Sequence, residues 1–184
     1  MIAKLTLFAA LLVLSGCGYN TIQTMDEAAS SAKTQIEVQL QRRADLVPNL
    51  VEVVKGYAAH EDSVFTRVAQ ARAALSGAVT GGDPATMALA NSEMTGALGR
   101  LIAIAEAYPN LKADQNFLRL QDELAGTENR IARARSDYTE SVEKYNAYIR
   151  RFPAVMTAKV TGARARPYFE VTSEAMREAP KVKM

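Results

Sequence analysis

From Ile36 onward, core-type positions recur at alternating steps of four and three. Leu40, Val47, Leu50, Val54, Val64, Val68, Ala71 and Leu75 supply apolar side chains, and Arg43, Tyr57 and Glu61 occupy the remaining positions. Such a heptad-like stripe marks a helix that buries one face. An earlier set, Ile22, Met25, Ala29 and Ala32, joins at Ile36 after one extra four-residue step, a stutter rather than a break. Pro48 lies inside the pattern, where it removes one helical hydrogen bond and its ring crowds the carbonyl of Ala44. Because the stripe stays in phase across Pro48, a kink is expected. The alternative is a break near Pro48, with Asp45 capping a second helix and Pro48 in its first turn.

The glycines between Ser76 and Gly82 end this first element, and Asp83-Pro84 pairs an N-cap with proline at the first helical position. A second helix follows, with Met87, Ala90, Met94, Leu98, Leu101, Ala105 and Tyr108 on its apolar face, up to the turn at Tyr108-Pro109-Asn110. A third begins near Asp114 and presents Phe117, Leu120, Leu124, Thr127, Ile131, Ala134, Tyr138, Val142, Tyr145, Ile149 and Phe152 before Pro153. At 1.5 Å per residue it is about 58 Å long. Val155, Met156 and Val160 then suit a short helix ending at Gly162, and Tyr168, Phe169 and Val171 form an apolar patch expected to dock on the bundle. The pattern predicts an all-α fold, an antiparallel bundle of long helices joined by short loops. The bundle is expected over 22–163, with 164–184 as a docking C-terminal segment whose end frays.

The N-terminus changes where this fold is placed. Lys4 provides a minimal positive start, Leu5 to Leu14 an apolar run, and Leu14-Ser15-Gly16-Cys17 closes on the chain's only cysteine. The run is too short to span a bilayer, which takes about 20 apolar residues. The pattern predicts a lipoprotein signal peptide over 1–16, lipidation at Cys17 and an anchored stretch over 17–21, outside the cytoplasm. An uncleaved signal anchor, or a secretory signal with an incidental cysteine, is the alternative. A lone thiol cannot close an intramolecular disulfide, so acylation accounts for it better. Gly18, rather than an Asp, after the cysteine favours the outer membrane if the source is Gram-negative.

The 184 residues carry a formal charge of only +2, which argues against a nucleic-acid surface. The last stretch leans positive through Arg150, Arg151, Lys159, Arg164, Arg166, Arg177, Lys181 and Lys183. A solvated charged tail is preferred there over a face for anionic lipid or polymer. The absence of tryptophan and the abundance of alanine agree with packed helices.

Candidate chemistry is sparse. His60 is the only histidine and has no partner motif for a metal, and no serine sits in a nucleophile elbow. Gly81-Gly82 lacks the Lys-Ser/Thr of a phosphate loop, and Asp122-Glu123 point in different directions around a helix. No catalytic residue, cofactor or metal is expected. The unusual feature is polar residues on or near apolar faces: Arg43 and Glu61 in the first seam, Arg42, Asp45, Asn49 and His60 close by, and Glu128, Arg135 and Asn146 beside the last. The preferred reading ties helices together through paired charges. The alternative lines a polar groove for a peptide or partner helix.

Two blocks carry a resemblance. Gly18-Tyr19-Asn20, Gln39-Leu40-Gln41-Arg42-Arg43-Ala44-Asp45-Leu46-Val47-Pro48-Asn49-Leu50-Val51, Val54-Lys55-Gly56-Tyr57, His60-Glu61 and Ala71-Arg72 form the first. Phe117, Leu120-Gln121, Glu123-Leu124, Thr127-Glu128-Asn129, Ile131-Ala132, Ala134-Arg135, Tyr138, Val142, Tyr145-Asn146 and Phe152-Pro153 form the second. In this order they closely resemble the LemA family, which implies a bundle with four main helices, attachment to a membrane of the bacterial envelope, and no established enzymatic activity. Many members carry a longer N-terminal membrane helix, whereas this chain has a short apolar run ending in a lipobox.

The reading that follows is a lipid-anchored, non-catalytic scaffold or adaptor whose partner is another envelope protein. The alternatives are an enzyme or ligand-binding protein using Arg42, Asp45 and His60, and a passive structural lipoprotein bridging membrane and cell wall.

Overall fold

A computed structural model describes the backbone of residues 2–170 and the side chains of residues 18–170. The Cys17 side chain and everything beyond Glu170, Val171 and the expected frayed end included, lie outside the described residues. Among these there are helices and no strands: α1 (Ile2–Lys55), α2 (Asp62–Gly81), α3 (Pro84–Ile104), a 3-10 turn (Ala105–Ala107), α4 (Pro109–Lys112), α5 (Gln115–Tyr148) and α6 (Ala154–Thr161). The fold is an all-α helical bundle in which α1, α2, α3 and α5 are the four long elements. Two compact units divide the chain, one of Met1–Thr34 with Arg135–Tyr168, the other of Gln35–Ala134 with the chain from Phe169 onward.

In the second unit α1 runs through Pro48 without interruption, so the alternative of a break there, with Asp45 capping a second helix, is not realised. The chain breaks instead at Gly56–Glu61, which divides what the stripe predicted as one element. Tyr57 and Glu61 leave the core there, Tyr57 at 41% exposure, and Ala58 and Phe65 are buried in their stead. Lys55 in the last turn, Gly56 just past it and Asp62 in the next first turn suit this stop and start, through the helix dipole and the freedom of glycine. The Tyr57 hydroxyl, on the connection, donates to Asp114 Oδ2 at 2.9 Å. Asp114 in turn accepts from the backbone N–H groups of Asn116 and Phe117, capping α5.

Gly82 closes α2 in the left-handed region (φ 69°), a conformation that glycine adopts without a Cβ clash. Asp83 then caps α3 by accepting from Thr86 N at 2.8 Å, with Pro84 at the start of the helix. This two-residue reversal packs α2 against α3. Leu40, Leu50, Val54, Val68, Leu75, Met87, Met94 and Leu101 are fully buried in this unit, together with Leu111.

In the first unit Ile22, Tyr145, Ile149 and Ala158 form a core, with Met25, Tyr148 and Ala163 against it. The segment after α6 is pinned by its backbone. Asn146 Nδ2 donates to Arg166 O at 2.9 Å, Asn146 Oδ1 accepts from Arg166 N at 2.8 Å, and the Tyr138 hydroxyl donates to Pro167 O at 2.8 Å. The Arg166 guanidinium meets Asp26 with two bonds of 2.7 and 2.8 Å. α5 ends at Tyr148, earlier than its stripe predicted, and Phe152 is 84% exposed rather than in the core, because the chain turns before Pro153 to start α6.

Candidate functional site

Arg43 is the one member of the expected polar set that enters the core of the second unit from α1, at 4% exposure. Its Nη1 donates to Asn91 Oδ1 on α3 at 2.8 Å and to Glu128 Oε2 on α5 at 2.5 Å, so one guanidinium joins three helices. Burial pulls the Arg43 pKa down and the adjacent Glu128 carboxylate pushes it back up. The Nε of Arg43 is buried without a hydrogen-bond partner, which makes the tie imperfectly satisfied. Asn91 was not anticipated: it lies one residue beyond Ala90 in the α3 stripe and shows its role only when α1 and α5 are brought to it.

The remaining residues do not gather around Arg43. Arg42, Asp45, Asn49 and His60 are exposed, and no hydrogen bond or ion pair among the described residues joins them to one another. Asp45 accepts a local bond from Gln41 Nε2 at 2.9 Å. Two positions along a helix from a buried residue points away from the core, which is where Asp45 stands relative to Arg43. Glu61 is half-buried at the start of α2 and does not cap it with its side chain. Arg135 is exposed on α5, and Asn146 clasps the Arg166 backbone in the first unit.

What the first block of the chain does build is a cleft of about 450 Å³ between the end of α1 and the start of α2. Val47, Pro48, Val51, Phe65 and Val68 supply its apolar surface, and Glu52, Lys55, Asp62 and Arg72 its charges. Pro48 explains part of this geometry. A proline nitrogen carries no hydrogen, so the carbonyl of Ala44 loses its helical donor. Arg72 Nε, reaching across from α2, donates to Ala44 O at 2.9 Å. Lys55 Nζ lies 5.2 Å from the centre of the Phe65 ring, a cation-π contact along the same wall. Among the described residues no group of three His, Cys, Asp or Glu side chains is arranged to hold a metal ion. No helix of the described residues is long and apolar enough to cross a membrane.

The chain is similar to the magnetosome proteins MamQ 1 and MamQ 2 of Paramagnetospirillum magneticum, each 31% identical over 176 residues, which cover 83% of this chain and 64% of the relative. It is likewise 30% identical over 174 residues to the magnetosome protein MamQ of Magnetospirillum gryphiswaldense, covering 82% of this chain and again 64% of the relative. The chain thus matches less than two thirds of these relatives' length. Residues 32–184 match the LemA family, a stretch that takes in the Arg43 tie and both walls of the cleft, and the chain belongs to that family.

Proposed function

We propose that the protein is a membrane-associated, non-catalytic interaction protein that receives a segment of a partner protein in the cleft between α1 and α2. The observation that carries this reading is the lining of the cleft, an apolar floor of Val47, Val51, Phe65 and Val68 bordered by charges of both signs. Such a surface suits an amphipathic peptide or helix, with apolar anchors for the floor and charges for the rim. Attachment is assigned to acyl chains on Cys17 at the periplasmic, extracytoplasmic face of a bacterial membrane, with the outer membrane favoured if the source is Gram-negative. The lipobox supports the acylation, and the protein's family and its MamQ relatives support association with a membrane.

A photo-crosslinking amino acid placed in living cells at Thr66, which lines the cleft, tests the reading. One discrete adduct with an envelope protein is expected from Thr66, and none from Ala74, an exposed α2 position that does not line it. The same adducts from both positions, or none from Thr66, contradict the proposal.

A further inference from the structure

α6 is packed the wrong way round for a helix that only completes a core. Its small residues face inward: Ala154 and Ala158 are buried, Ala158 against Ile22, Tyr145 and Ile149. The large apolar residues face outward. Phe152, in the turn before the helix, is 84% exposed, Met156 60% and Val160 89%, and the four-residue spacing of Met156 and Val160 keeps those two on one side of the helix. Three large apolar side chains exposed along so short a stretch mark a contact site.

Two further observations say what covers this face. The first is charge. Arg150, Arg151, Lys159 and Arg164 flank it, and the sequence holds no Asp or Glu between Glu143 and Glu170. Arg150 Nε donates to the carbonyl of Asn146, which holds that side chain near the turn, and no ion pair joins Arg151, Lys159 or Arg164 to a carboxylate among the described residues. The second is position. Gly18, the residue directly after Cys17, is buried against α6, close enough that a Cβ there would stand 3.3 Å from Thr157 Oγ1 and 3.7 Å from Ala154 Cα. The point where the chain leaves its apolar N-terminal run therefore lies against the inward side of the helix whose outward side carries exposed apolar residues and cations.

We infer that the turn at Phe152 and the outward face of α6, Met156 and Val160, with Arg150, Arg151 and Lys159 beside them in the chain, enter the headgroup layer of a bilayer that carries anionic lipid. An apolar face immersed at the level of the headgroups with cations beside it is how interfacial helices bind, and each Lys or Arg near such a surface is drawn to it. The inference rests on the membrane attachment proposed above. It gives the first unit a second contact with the bilayer, which restricts rotation about the N-terminal tether.

The chain lacks tryptophan, so Met156→Trp creates a single fluorescent reporter on the face. The full chain carrying it is reconstituted with vesicles of equal parts brominated phosphatidylcholine and phosphatidylglycerol, and both flotation and emission are read. Expected are flotation, loss of most of the emission and a blue shift. Quenching is weaker when phosphatidylglycerol is left out, and is lost without loss of flotation when Arg151→Glu and Lys159→Glu are added. Phe152→Trp serves as a second reporter, and the melting midpoint of every variant is compared with wild type. Protein that floats with unquenched emission from both reporters overturns the inference and leaves the anchor standing. Protein that neither floats nor is quenched overturns both. A blue shift without quenching, accompanied by crosslinking of the chain to itself, makes a second copy the occupant and overturns the inference. Quenching undiminished by the charge reversal overturns its anionic-lipid component.

Discussion

Arg43 shows how a polar residue on an apolar stripe becomes a specific joint. Removing one member of a buried pair is costly when the other is left buried and charged. Here the Glu128 side chain is 45% exposed and stays hydrated on its own, whereas Asn91 is 5% exposed and keeps an unpaired oxygen. Arg43→Met is therefore expected to destabilise by about 1–3 kcal/mol, set by the stranded Asn91 rather than by the lost ion pair. Adding Asn91→Leu should recover most of that loss. Urea unfolding of the two variants decides it, and a double variant no better than the single contradicts the assignment. The Asp26–Arg166 pair gives a pH signature in the first unit. The hydrogen bond from Arg166 is the largest influence holding Asp26 below the ordinary carboxylate range, against a smaller opposing push from burial. A depressed carboxylate contributes stability that is complete above its unfolded pKa and is lost as pH falls through its folded pKa. Asp26 is 39% exposed, so solvent screening limits the contribution to about 1 kcal/mol or less. Asp26→Asn should lower the melting midpoint at neutral pH and leave the two proteins converging in acid. An unchanged difference down to acid pH contradicts the pairing.

At the scale of elements, α1 and α2 are coupled through the hydrogen bond that Pro48 makes necessary. Arg72→Ala leaves the Ala44 carbonyl with neither helical nor side-chain donor and should cost about 1–2 kcal/mol. In a Pro48→Ala background the helix supplies its own N–H, and the same substitution should cost markedly less. Equal losses in both backgrounds, measured as a double-mutant cycle, contradict the coupling. Much of this was legible in advance: the crowded Ala44 carbonyl follows from Pro48 alone, the Asp83-Pro84 start is as expected, and the α3 and α5 stripes name buried residues along nearly their whole length. The donor to Ala44 was not legible, since nothing local indicates a partner 28 residues away. The break after Lys55 was hidden because the apolar phase continues across it, although Gly56 and the acidic Asp62 mark it once phase is set aside. Phe152 was misplaced for the same reason, a stripe extended past the helix that carries it. The polar cluster around Arg43 dispersed because adjacent positions on a helix face different directions, so nearness in sequence to a buried arginine says little about burial. The cleft itself was not read from the sequence, because a cleft is set by how far two helix surfaces stand apart, which the apolar phase of each does not specify.

At the scale of the molecule, one unit carries the proposed N-terminal attachment and an α6 that presents apolar and basic residues, and the other carries the cleft. These support an adaptor that works at a membrane surface, with no catalytic group assigned. Attachment at Cys17 is the claim on which the placement of everything else depends. In the proposed attachment the thiol is the acylation point, so Cys17→Ser should leave the bundle folded and abolish fatty-acid incorporation. The most direct test is the intact mass of the mature protein extracted from membranes. A chain that begins at Cys17 and carries the added mass of acyl groups on that residue is expected. A membrane-extracted chain that retains its first sixteen residues and an unmodified thiol contradicts it and puts an uncleaved signal anchor in its place.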